Sequence, residues 1–158
     1  MKRRLLAGVV PLLIVMTAVT VFGQDSGVAG GVRERFVGAW HLVHIDAPGP
    51  DGKQQDIPQP IGMLIYTRDG HMSVQLMYPK SAGALSNEYV LNGYEASFGS
   101  YDLDEAKHTV THHVQGSVTR DLLVGKDLPR VYEFTGDGHL IIRSTRPDEH
   151  WSVTWEHY

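Results

Sequence analysis

No cysteine occurs anywhere in the 158 residues. That excludes disulfides and lipid attachment at an N-terminal cysteine, so stability has to come from packing and a closed ladder of backbone hydrogen bonds. Basic residues are also few, 14 Lys and Arg against 18 Asp and Glu. This balance argues against a basic surface for nucleic acid. No Gly-x-Ser-x-Gly elbow and no phosphate-cradling glycine loop is present, which leaves nucleophilic and phosphate chemistry without a motif. Nine histidines are present, yet none forms His-x-His. A metal site would need histidines from several strands to meet inside, for example His44 and His113 with a carboxylate, and nothing local demands it. No metal and no cofactor is expected.

Charged residues are also missing from one stretch. Met1-Lys2-Arg3-Arg4 is a basic head, Leu5 to Phe22 is apolar and uncharged, and Gln24-Asp25-Ser26-Gly27 turns polar. This is the layout of a secretory signal peptide cleaved after Gly23. The competing reading is an uncleaved anchor, because the run approaches the roughly 20 residues that span a bilayer. Removing residues 1–23 takes away Lys2, Arg3 and Arg4 and leaves 11 basic residues against 18 acidic ones in a chain of 135. That length fits one domain. The expected division is therefore a signal peptide at 1–23, a flexible lead-in at 24–35 and a single domain at 36–158. A bacterial periplasmic or secreted location is expected, with no stable membrane span after cleavage. The oligomeric state is not legible.

What the chain has in quantity is strand. β-branched and aromatic runs cover Gly38 to Ile45, Ile61 to Thr67, Met72 to Met77 and Gly99 to Leu103. They resume at His108 to Gln115, Arg130 to Phe134, His139 to Ser144 and Trp151 to Glu156. Two Asp-Gly pairs, Asp69-Gly70 and Asp137-Gly138, sit between strands where a hairpin needs positive φ. Arg33 to Val37 has room for one helical turn. Tyr89, Val90, Gly93, Tyr94 and Phe98 recur at helical spacing, which predicts a short amphipathic helix over 86–98 laid across one end, with Ser86 as its N-cap. Leu122 to Pro129 reads as a loop. The fold class expected is all-β, an eight-stranded antiparallel up-and-down barrel with one short helix capping an end.

Thr109 to Ser117 places two histidines side by side in a strand, so His112 and His113 point to opposite faces. One enters a barrel interior and the other does not. In the strand Met72 to Met77, either Ser73 and Gln75 or Met72, Val74 and Leu76 face inward. An apolar interior with a few polar groups is the usual character of a small-ligand site. The candidate ligand-binding residues are His113, His44, Tyr66, Ser73, Gln75, Tyr101, Arg130 and Tyr132. A buried imidazole among phenols can orient a carbonyl or handle a proton. Asp102 and Asp104 read as solvated turn residues.

Gly38-Ala39-Trp40 resembles the Gly-x-Trp opening of the calycin barrels. More specifically, Gly62 to Met77, and Gly99-Ser100-Tyr101 leading to Thr111 to Ser117, resemble the bacterial and fungal lipocalin-like domain family. The resemblance covers about Phe36 to Glu156. It implies a calycin-type barrel with an interior site for a small, largely apolar molecule, and no shared catalytic set. In such barrels an arginine lies over the first-strand indole, here Arg143 or Arg146 over Trp40. Three functions follow: a carrier of a small apolar ligand, a cyclase or isomerase using His113 or Tyr101 on the same scaffold, and a filled barrel that contacts another protein.

Overall fold

Short turns between strands that alternate apolar and polar residues leave the chain one economical way to bury its apolar face, which is to curl on itself. The structure, a computed structural model, describes residues 31–49, 52, 53, 55–83 and 85–158. The proposed leader lies outside the described residues. Eight strands run in chain order: β1 (Gly38–Asp46), β2 (Ile61–Tyr66), β3 (His71–Met77), β4 (Tyr94–Asp104), β5 (Thr109–Ser117), β6 (Asp127–Phe134), β7 (Leu140–Ser144) and β8 (Ser152–His157). Each pairs antiparallel with its neighbour, and β8 returns to β1, so the barrel is closed. The all-β up-and-down barrel read from the sequence is the fold observed.

The two ends differ. One end carries the tight β2–β3, β4–β5 and β6–β7 hairpins, and the other carries the long connections 47–60, 78–93, 118–126 and 145–151. At the first end two hairpins share one construction. In Thr67-Arg68-Asp69-Gly70-His71 the threonine hydroxyl donates to Asp69 Oδ1 at 2.5 Å and accepts from the His71 N–H at 3.0 Å. Thr135 to His139 repeats both bonds at the same lengths. Gly70 and Gly138 supply the positive φ, 91° and 95°, that side chains resist.

The short helix α1 (Val32–Phe36) plugs that end. Of the expected lead-in, residues 24–35, the part from Val32 onward is thus helical and packed. Phe36 is fully buried. Its ring meets Tyr66, Tyr132 and Phe134 edge-on, with centroids 5.1, 4.9 and 5.1 Å away. The Trp40 Nε1–H donates to the Phe36 carbonyl at 2.8 Å, satisfying a helix-end acceptor that would otherwise lack a partner. The arginine expected over Trp40 is not there. The His157 ring covers the indole, while Arg143 pairs with Glu133 and Arg146 with Glu88 on the outside. Arg35 stacks on the neighbouring Phe134 instead, 4.0 Å from its centroid.

The helix predicted over 86–98 does not form. Asn92 and Gly93 both adopt positive φ, 52° and 83°, a turn no right-handed helix can contain. Leu91 and Tyr94 bridge across them, and Tyr94 begins β4. The apparent helical period joins a loop, whose Tyr89 and Val90 turn inward, to a strand whose Tyr94 and Phe98 face out. The Ser86 hydroxyl accepts from the Asn92 N–H rather than capping a helix. Leu122 to Pro129 is also not all loop. A 3₁₀ turn at Asp121–Leu123 precedes β6, which already pairs with β5 from Asp127.

Phe36→Ala should cost about 3–5 kcal/mol in denaturant unfolding, the range for emptying a buried aromatic site. Trp40→Phe should cost less, about 1–2 kcal/mol, mainly from the helix carbonyl left without its donor.

Candidate functional site

Strand parity decides which side chains reach the interior, and an irregularity in β1 changes that parity. A bulge between Leu42 and His44 in the β1–β8 pairing turns Ile45 inward and leaves His44 exposed, bonded to Asp46 at 3.1 Å. A strand bulge shifts everything beyond it by one residue, so His44 is not an interior residue. In β5 the inward set is Val110, His112 and Val114. His113 is therefore outside, where Nδ1 meets Asp127 Oδ1 at 2.6 Å and Nε2 meets Asp102 Oδ2 at 3.1 Å. Those contacts, Asp127 first, raise its pKa and make it a clamp across β4, β5 and β6. In β3 the buried set is Met72, Val74 and Leu76, so Ser73 and Gln75 face outward and bond to each other at 2.8 Å. Four of the eight candidates, His44, His113, Ser73 and Gln75, are thus excluded from the interior by parity.

The other four are inside but not together. Tyr101 and Tyr132 belong to the plugged end. Tyr101 Oη donates to the Thr67 carbonyl at 3.0 Å. Tyr132 lines a separate cleft beside α1, and its hydroxyl has no hydrogen-bond partner among the described residues. Arg130 lines a cavity of about 180 Å³ at the open end, and Tyr66 touches that cavity only through His112. Leu64, Met72, Val74, Leu76 and Ile142 give the cavity aliphatic walls, and Tyr89, Trp151 and Trp155 give it aromatic ones.

Five polar side chains break that apolar lining: Asn87, whose Oδ1 accepts from the Tyr89 and Val90 N–H groups, and Glu95, Ser97, His112 and Arg130. Tyr66 Oη and His112 Nε2 are 2.6 Å apart and both buried. The phenol has no other acceptor among the described residues, so it donates to Nε2 and the ring proton resides on Nδ1. Burial, aided by the Arg130 charge, pushes the His112 pKa down to about 3. Burial also pushes the Tyr66 hydroxyl well above its usual value. The pair stays neutral at any ordinary pH.

Glu95 and Arg130 behave differently. The Arg130 guanidinium is buried and lies over the rings of Tyr89 and Trp151, 5.2 and 5.0 Å from their centroids. It donates to the Pro129 carbonyl at 3.0 Å, and among the described residues no carboxylate pairs with it. Glu95, at the start of β4, keeps some accessible surface, but that surface opens into the cavity rather than into bulk water. Burial raises its pKa to about 7, and the more distant Arg130 offsets this only in part. Glu95, Ser97, Tyr89 and Trp151 are not among the ligand-binding candidates read from the sequence. The first three fall within the segment misread as a helix. His112 was readable from Val110 and Val114, which share its parity. Among the described residues, no three His, Asp or Glu side chains converge as a metal site would require. No helix there is long and apolar enough to cross a membrane.

A carboxyl whose pKa is raised by burial destabilises the fold progressively as the unfolded chain ionises and the folded one resists. Stability is highest below the unfolded value near 4.5 and falls as pH rises through about 7. Glu95→Gln should therefore be more stable than the parent at pH 8, by about 1–2 kcal/mol after allowing for water in the cavity. The gap should close towards pH 5. Urea melts of both proteins at the two pH values check this.

No curated protein matches the chain. Among solved structures, a mutant of the fluorescent protein UnaG is similar at 16% identity and a TM-score of 0.41, with 79% of this chain and 97% of that one covered. The family model described as a lipocalin-like domain matches residues 37–157, so the chain belongs to the lipocalin-like domain family.

Proposed function

We propose that this protein binds a small, largely apolar molecule in the open-end cavity of its barrel. The observation that carries the reading is the cavity itself, about 180 Å³ with aliphatic and aromatic walls and a few polar groups. An interior of that kind suits a ligand whose body is apolar and whose orientation is set by one or two hydrogen bonds. It disfavours the filled barrel that works only through its outer surface. Export to a bacterial periplasm or to the medium belongs to the same proposal. It is supported by the basic head and uncharged run of residues 1–23 and by the absence of cysteine. Protein recovered from the periplasm should begin at Gln24 by N-terminal sequencing, whereas a chain beginning at Met1 would overturn the export step.

One observation favours a second reading, an enzyme on the same scaffold. Glu95 titrates near 7 inside the cavity, the range in which a carboxyl is useful both as acid and as base. The Tyr66–His112 pair is less suited, since neither partner changes charge near neutrality. His113 and Tyr101, the residues first considered for proton handling, do not line the cavity. An enzyme would lose turnover in Glu95→Gln while still taking up its substrate, and a carrier would show a change in affinity alone.

The binding reading is tested by titrating an uncharged apolar fluorescent dye into the purified protein. Uptake of one dye per chain is expected. Val74→Phe, which adds a ring at the cavity wall, should weaken uptake at least tenfold while leaving the unfolding midpoint within a few degrees. No uptake by the parent protein would sink the reading.

A further inference from the structure

The cavity holds a guanidinium that no carboxylate pairs with among the described residues. Arg130 carries a positive charge and five N–H donors. The residue is 7% exposed, and one carbonyl at 3.0 Å is the hydrogen-bond acceptor its side chain has among the described residues. Tyr89 and Trp151 lie within cation–π distance of the guanidinium. That attraction partly offsets the loss of water but supplies no hydrogen-bond acceptor. Elsewhere in the molecule arginines find carboxylates readily: Arg68 with Glu34, Arg143 with Glu133, Arg146 with Glu88. Arg130 has no such pair among the described residues, although it is the buried arginine, where desolvation is most costly.

We propose that the ligand is a carboxylate with an apolar body about the size of one ring, its carboxylate seated on the Arg130 guanidinium between Tyr89 and Trp151. This names the ligand class for the binding reading above and rests on it. The arginine fork matches a carboxylate through two parallel N–H···O bonds, and an uncharged head group gains much less from it. The other polar groups around the cavity agree in sign. His112 Nδ1–H is a donor, because Tyr66 occupies Nε2. Ser97 Oγ can donate, and Glu95, pushed up to about 7, adds a proton donor under mildly acidic conditions rather than a competing charge. Size sets the body of the ligand. A dry cavity of roughly 150 Å³ admits a benzene ring, and this one is about 180 Å³.

The test is displacement of the apolar dye at pH 6 by three probes of one shape: phenylacetate, phenylacetamide and phenethylamine. Phenylacetate should displace the dye at least tenfold more strongly than the amide, and the amine should be weakest. Arg130→Met, which keeps length and bulk, should still take up the dye but bring acid and amide within twofold of each other. Arg130→Lys should retain part of the preference. If the parent protein takes up the dye but does not distinguish acid from amide, the carboxylate assignment is overturned while the cavity reading stands. A preference for the amine would likewise overturn it and make Glu95 the anchor. Failure of the dye to enter at all would remove the binding reading itself. Because the comparison of probes needs only the parent protein, an Arg130 variant that does not fold leaves the test intact.

Discussion

One hydrogen bond fixes the polarity of this barrel. The Trp40 indole donates to the carbonyl of Phe36, and that bond ties the end of α1 to the start of β1 across only four residues. Phe36 is then held in the ring of Tyr66, Tyr101, Tyr132 and Phe134. Once that end is stoppered, the interior volume left over can lie only towards the long connections. The location of the cavity is thus a consequence of how the first strand is entered, and the cavity residues themselves do not set it.

Between plug and cavity the polar interior is graded. Tyr101 bonds to backbone, Tyr66 bonds to His112, and His112 presents its remaining nitrogen to the cavity. Tyr101 and Tyr66 are satisfied in this way, as most buried polar groups are, and the Tyr132 hydroxyl at the plugged end is the exception among the described residues. The grading stops at Arg130 and Glu95, which are charged or chargeable and share no ion pair. Satisfied groups specify structure, and unsatisfied ones invite a ligand. The boundary between the two kinds runs through His112.

Much of the barrel was legible because its strands obey simple alternation and its two Asp-Gly hairpins announce themselves. The site was less so, for reasons that can be named. His44 was misplaced because the bulge beside it is invisible to a period-two count. Ser73 and Gln75 were misassigned, although Met72, Val74 and Leu76 form the more apolar set and a closed barrel fills its inside with apolar residues. His113 was preferred over His112 despite the valines that flank the latter at matching parity. The largest miss came from 86–98. Asn92-Gly93 is itself a strong hairpin signal, and giving it the weight given to Asp69-Gly70 would have begun β4 at Tyr94 and turned Glu95 and Ser97 inward.

The placement of the tryptophans gives the molecule two independent optical reporters. Of its three indoles, Trp40 sits in the stoppered end while Trp151 and Trp155 line the cavity. Emission from the first senses whether the barrel is assembled, and emission from the other two senses what occupies it. With Trp40 replaced by phenylalanine, the remaining fluorescence becomes a spectroscopic gauge of cavity occupancy, with no label attached.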